Sequence, residues 1–285
     1  TKGKDIKEIW EPSRMGWLIS FSQAAAFGDL SYIEKINEWL NDWIKENPPY
    51  KGTNWVCAQE CSIRLLNLFT SLLILNQEKK ISKAMESFIL SHLKRIKPAR
   101  WYSISQQNNH ATSESAALYM GGLFLEKHGI KKGKEWKKLG KLLLQKRAEE
   151  LISNDGFFSQ YSTNYHRLIL DTFSLAEVWR IRFNDDPFSE ALYSKLDRAS
   201  EWLYIFTDQI NGITPNLGAN DGSYLLDLTS NSYTDFRASV KIALSLFQDL
   251  NSYKGNKELD DIFNWLGIEA PSVFKEEPET KKFEN

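Results

Sequence analysis

Residues 56–75 are apolar on almost every side of a 3.6-residue repeat, the pattern of a helix enclosed by other helices. The same pattern returns at 111–126, where Ala116, Ala117, Gly121 and Gly122 would let neighbours approach closely, and at 165–183. Between these segments lie 81–96, 131–152 and 187–210, each apolar on one side and charged on the other, as outer helices are. Upstream, 5–27 reads as a helix with Pro12 in its first turn, broken at Gly28-Asp29-Leu30-Ser31. A further amphipathic helix follows at 32–44, with Ile33, Ile36, Leu40 and Trp43 on one side. Downstream, 211–232 is a long loop holding Pro215, Gly212, Gly218 and Gly222, before a last short helical pair at 234–247 and 258–266. Strand signals are scarce. The alternation predicts an all-α fold of antiparallel helix hairpins in a curved array, an incomplete α/α toroid over 1–268. Residues 269–285 turn charged and read as a polar tail or tether.

The loops carry a period of their own. Asn54, Asn109, Asn164 and Asn220 are 55, 55 and 56 residues apart, each in a polar loop. That interval accommodates two helices and a return turn at roughly 1.5 Å per residue. Loops of equal phase in a stack of hairpins open onto the same end, so the four polar loops are expected at one end, with those of Asn54, Asn109 and Asn164 around a common cleft.

Composition narrows the partners. With 36 basic and 37 acidic residues the chain has no electrostatic footprint for nucleic acid. No segment reaches the ~20 uninterrupted apolar residues of a membrane span. The chain starts at Thr1 without a secretion signal, the expectation being a processed or trimmed product. Ten Trp, eleven Tyr and sixteen Phe are ordinary core material, but also suit stacking against sugar rings. Cys57 and Cys61 lie one turn apart in an apolar pattern and are expected as buried thiols, with no second cluster to make a metal site.

The candidate chemistry centres on Gln106-Gln107-Asn108-Asn109-His110, a run of amides and an imidazole without a carboxylate. It stands between a basic loop containing Pro98 and a helix expected to be capped by Thr112 or Ser113. Such donors beside a helix start, with its unpaired N–H groups and dipole, suit an anion; satisfying local backbone groups is the alternative. A second feature is the stripe Glu60, Arg64, Asn67 and Ser71 on the 56–75 helix. It reads either as a buried Glu60–Arg64 pair fixing register or as the lining of a polar cavity.

Together, Trp10-Glu11-Pro12-Ser13-Arg14, the Asn109-His110 loop, Tyr165-His166 after an Asp155-Gly156 turn, and Asn216-Leu217-Gly218 with Asn220-Asp221-Gly222 resemble the heparinase II/III-type polysaccharide lyases, including related alginate lyases. The resemblance runs from about residue 6 to 227. It implies a toroid followed by a C-terminal β-sandwich domain, a uronate-containing acidic polysaccharide such as a glycosaminoglycan or alginate as partner, no cofactor in this domain, and a periplasmic or secreted bacterial protein. Motif for motif, the family's carboxylate-binding Asn and adjacent His fall on Asn109 and His110, and its catalytic Tyr on Tyr165. Gln160 stands where members often carry Glu. Another family histidine comes from the sandwich, so the resemblance implies an incomplete site in the toroid alone.

The chemistry accounts for these residue types. In β-elimination a base removes the C5 proton of a uronate and the 4-O-linked sugar leaves. The carboxylate makes that proton weakly acidic, so donors such as Asn109 and His110 must first neutralise it. Tyr165 then exchanges protons, provided neighbouring donors favour its phenolate; Arg64, Arg167 and His166 are the candidates. Asn108, Glu60 and Asn220 complete the expected substrate-binding set. Two other readings stay open. A toroid glycoside hydrolase would need two carboxylates, for which Asp221, Asp155 and Glu60 are the candidates. A non-catalytic protein that binds or assembles acidic glycan would need none.

Overall fold

The computed structural model describes residues 5–276. They form α1 (Lys7–Ser13), α2 (Trp17–Ala26), α3 (Ser31–Glu46), α4 (Ala58–Ile74), α5 (Lys83–Ser105), α6 (Asn109–Lys127), α7 (Lys132–Leu151), α8 (Thr163–Arg182), α9 (Glu190–Phe206), α10 (Arg237–Phe247) and α11 (Lys257–Leu266), with a 3-10 turn at Thr53–Trp55. Among the described residues there are only two isolated β-bridges, Ile152 with Phe158 and Asn251 with Phe274.

Five helices form the inner layer: α2, α4, α6, α8 and α10 each pack against the next. Their hairpin partners α3, α5, α7, α9 and α11 lie outside. The hydropathy pattern explains the sorting. In α4, α6 and α8 nearly every side chain is buried, whereas α3 buries only Ile36. The ends of the array come together where the Phe27 ring meets Trp265 edge-on at 5.0 Å and Gln23 Nε2 donates to the Leu228 carbonyl at 2.9 Å. The fold is an incomplete α/α toroid.

The tightest seam joins α6 to α7. A methyl added at Gly122 would lie 2.2 Å from the Lys137 nitrogen, and one at Gly140 would lie 2.2 Å from that of Tyr119. The small residues of α6 thus serve an inner–outer contact, with Gly140 answering from α7.

Several boundaries differ from the sequence expectation. The segment 5–27 is two helices, interrupted where Met15 adopts a positive φ of 63° ahead of Gly16, and Pro12 falls late in α1. The expected Pro98 loop is helical: α5 runs through it to Ser105. Pro98 and Lys94 are both exposed, so the carbonyl that loses its helical donor faces water. Helix α6 begins before Thr112 and Ser113. Asn108 is its N-cap, accepting from the His110 N–H at 3.0 Å, while the Thr112 and Ser113 hydroxyls bond back to the Asn109 carbonyl. As far as Glu276, the expected tail is docked: Asn251 and residues 273 and 275 exchange backbone hydrogen bonds, and Lys275 pairs with Glu201 at 2.6 Å. Residues 277–285 lie outside the described residues.

Candidate active site

The starts of α4, α6 and α8 share one end of the array, and the long loop between α9 and α10 folds over them. They enclose a cavity of about 280 Å³ lined by residues of α1, α4, α6, α8 and that loop. This is near the lower end of ligand-site volumes of ~300–1,000 Å³. A larger cavity of about 720 Å³ between α2, α3, α4 and α5 is walled mainly by apolar side chains and, among the described residues, Ser71 is the only candidate residue that lines it.

Two capped helix starts deliver the central groups. Gln107 and Tyr161 both hold a left-handed φ of 52°, each one residue before an N-cap, Asn108 for α6 and Ser162 for α8. Ser162 Oγ accepts from the Tyr165 N–H at 3.1 Å. The two starts are tied together: Gln160 Oε1 accepts from the Asn109 N–H at 2.8 Å, and Ser159 Oγ donates to the Gln107 carbonyl at 3.2 Å. Gln160 is therefore a neutral cap partner for α6. These bonds also correct the expectation of an anion on free backbone amides, because the Asn109 and His110 N–H groups are both occupied. What α6 offers the cavity is side chains. The Asn109 amide and the His110 imidazole line the cavity and take no hydrogen-bond partner among the described residues.

Across the cavity, the half-buried Tyr165 donates its phenolic hydrogen to Asp221 Oδ2 at 2.9 Å. Burial and this carboxylate push the Tyr165 pKa up to about 12, against the opposing charge of Arg14. Burial also raises the Asp221 pKa, but hydrogen bonds from Ser223 and Tyr165 outweigh it and hold the carboxyl below its ordinary value. His110 is lowered, chiefly by burial and also by Arg14, while Glu60 and Asp221 pull the other way.

The remaining expected residues divide. Glu60 lines the cavity, but its partner is Arg14, not Arg64: Arg14 Nε and Nη2 reach the two carboxylate oxygens at 2.8 and 2.9 Å. The stripe continues onto the N-terminal helices, with Asn67 donating to the Arg14 carbonyl at 2.8 Å and Ser71 2.6 Å from Ser22. Arg64 lies deeper, between the Trp43 and Trp55 rings, donating to His92 Nε2 at 3.0 Å and to the Asn54 carbonyl at 2.6 Å. Arg167 is likewise buried, stacked on Tyr224, Tyr233 and Phe236 at 4.1–4.5 Å. Asn108 is a cap, and Asn220 joins Asn164 in accepting from the Tyr233 hydroxyl. Cys57 is a half-buried cavity residue; only Cys61 is fully buried.

His166 points away from the cavity. Its Nε2–H donates to the Ala199 carbonyl at 2.8 Å and its ring stacks on Trp202, because the residue after Tyr165 lies about 100° around the helix. Burial lowers its pKa from 6.5 to about 4. A histidine held neutral in the fold takes up its proton first in the unfolded chain, so stability is lost as pH falls from about 6.5 towards 4. His92, lowered by burial and Arg64, acts in the same direction. Thermal unfolding followed across this range is expected to show a falling Tm, with a shallower slope in His166→Asn.

Sequence reasoning left Arg14, Lys7, Trp10 and Gln59 out of the site. The signal was available: Lys7, Trp10 and Arg14 fall at i, i+3 and i+7, one face of a helix, and all three line the cavity. Trp10 is held there by its Nε1–H, which donates to the Thr53 carbonyl at 3.0 Å.

The fold has a counterpart among solved structures. A solved heparinase III with methylated lysines superposes with a TM-score of 0.57 at 16% identity, covering 95% of this chain and 43% of its own. The chain thus spans less than half of that protein's length. No curated protein sequence matches it. The match that decides the family is to the heparinase II/III N-terminus, over residues 4–249. A toroid whose helix starts converge on one polar cavity, with that match along most of its length, belongs to the heparinase II/III family.

Proposed function

We propose that this chain is the toroid portion of a polysaccharide lyase that cleaves a uronate-containing acidic polysaccharide by β-elimination. The observation that carries the reading is the pair of unpartnered donors, the Asn109 amide and the His110 ring, on the same cavity as the Tyr165 hydroxyl. Asn109 and His110 neutralise the uronate carboxylate, which matters most as enolate-like charge develops in the transition state. The C5 proton passes to a base, for which the resemblance leaves the family histidine of the sandwich domain; the C4–O bond breaks, a C4–C5 double bond forms, and the leaving oxygen takes the proton of the Tyr165 hydroxyl. Tyr165 is the proton-transfer group that touches the substrate. Arg14 adds the cavity's guanidinium, aimed by Glu60.

The hydrolase reading draws less support. Hydrolysis needs one carboxylic acid kept protonated. Asp221 is held below its ordinary pKa, both Glu60 oxygens are engaged by Arg14, and Asp155 is exposed and does not line the cavity. A binding protein would not require a phenol opposite the carboxylate donors.

The test is to incubate the full-length polypeptide with a panel of uronate polymers and follow the ultraviolet absorbance of the conjugated product. Saturated reducing ends would identify hydrolysis, and binding without turnover a glycan-binding role. Asn109→Ala is expected to lower kcat by about 10²-fold, as loss of a transition-state donor does. It should weaken binding of uronate oligosaccharides and leave neutral ones unaffected, measured by calorimetry.

A further inference from the structure

Asp221 faces Tyr165 across the cavity, and the proposed reaction assigns it no part. Its position is built from both sides. Asp221 Oδ1 accepts from the Ser223 N–H at 3.2 Å and from the Ser223 hydroxyl at 2.7 Å, leaving Oδ2 for the phenol. Lys7 Nζ stands 3.9 Å from Oδ2. The loop that carries Asp221 is fastened to the very turn that carries Tyr165. Ser162 Oγ donates to the Ala219 carbonyl at 2.5 Å, and the Thr163 N–H and hydroxyl reach the carbonyls of Leu217 at 3.2 Å and Pro215 at 2.9 Å. Tyr233 bridges Asn164 to Asn220 on the next stretch. Gly218 permits this contact: its φ is +67°, and a methyl there would fall 2.0 Å from the Tyr161 carbonyl oxygen.

A chance surface contact would not be clamped on both partners. The chemistry of the clamp has one direction. A phenol that donates to a carboxylate is stabilised, whereas a phenolate there would lose the bond and meet a like charge. Among the described residues the one guanidinium lining the cavity, that of Arg14, is held by Glu60.

We propose that Asp221 is a positioning residue for Tyr165, holding the hydroxyl in place and keeping the phenol neutral, so that Tyr165 enters the reaction with its proton in hand. This rests on Tyr165 being the proton-transfer group, but the ionisation of the phenol can be measured without turnover.

The experiment uses protein labelled with ¹³C at tyrosine Cζ, whose chemical shift reports the ionisation of each ring. The Tyr165 signal is identified by its loss in Tyr165→Phe. Asp221→Asn keeps an acceptor oxygen and removes the charge, so the Tyr165 midpoint is expected to fall by about one pH unit or more, and Asp221→Glu to restore it. A midpoint unchanged in Asp221→Asn, with folding verified by circular dichroism, overturns the proposal whatever the activity. A lowered midpoint in a polypeptide that cleaves no uronate polymer supports the Asp221–Tyr165 assignment and removes the lyase reading instead. Where turnover is present, Asp221→Asn should move the alkaline limb of the pH profile to lower pH. A uniform fall in rate with the limb unmoved would mark a merely structural role and overturn the proposal.

Discussion

Tyr165→Phe, in the full-length polypeptide acting on one acidic polymer, is expected to lower kcat by about 10²–10⁴-fold with KM little changed, the effect of losing a general acid–base group. The substitution removes a single oxygen. The ring stays half-buried where α8 begins, and the cap from Ser162 uses the backbone N–H of residue 165, which Phe retains. Folding should therefore survive, and the bond to Asp221 is the only hydrogen bond of the side chain that is lost. That separates it from Asn109→Ala, whose target is the carboxylate and whose effect extends to binding. It also separates it from His166→Asn, which acts through stability because the imidazole lies against α9. Near-wild-type turnover by a folded Tyr165→Phe protein would sink the assignment of this residue.

Gly140→Ala is expected to be strongly destabilising. The added methyl would meet the Tyr119 nitrogen at 2.2 Å, its Cα at 2.6 Å and the Leu118 carbonyl carbon at 2.8 Å. All three are backbone atoms, so no side chain can swing aside and α7 must move off α6. Overpacking against side chains costs ~1–3 kcal/mol. A backbone obstacle belongs at the upper end, about 3 kcal/mol, even after the ~1 kcal/mol that Ala gains over Gly in helix propensity. At this chain size the loss corresponds to a Tm lower by roughly 6–12 °C. Gly16→Ala is the control, since nothing lies within 4 Å of the methyl it would add and its φ is ordinary, so no comparable fall is expected. Equal Tm values for the two variants would show that the α6–α7 seam yields freely and that the glycines are not what sets it.

The hydropathy pattern alone determined the all-α class, the alternation of inner and outer helices, and the end of the array where polar loops gather. These are legible because a 3.6-residue repeat records how much of each helix meets other protein, and because equal spacing of loops implies equal phase. It also placed Asn109, His110 and Tyr165 together, through their positions at the starts of two inner helices. Partners within those helices were harder to read. Glu60 and Arg64 sit one turn apart and looked like a pair, yet Glu60 turns to Arg14 and Arg64 to His92. His166 adjoins Tyr165 in sequence but faces the outer helix, since consecutive residues on a helix diverge by about 100°. Arg167 and Asn220 are polar residues near the site that serve its walls. Only the tertiary structure brought α1 to the cavity, and with it Arg14, and set Asp221 against Tyr165. α1 stands outside the loop period; the loop after α9 shares it through Asn220, but a hydrogen bond between Tyr165 and Asp221 across 56 residues leaves no trace in local periodicity. Which side chain meets which depends on how the ring closes, and that is decided by packing between helices far apart in the chain.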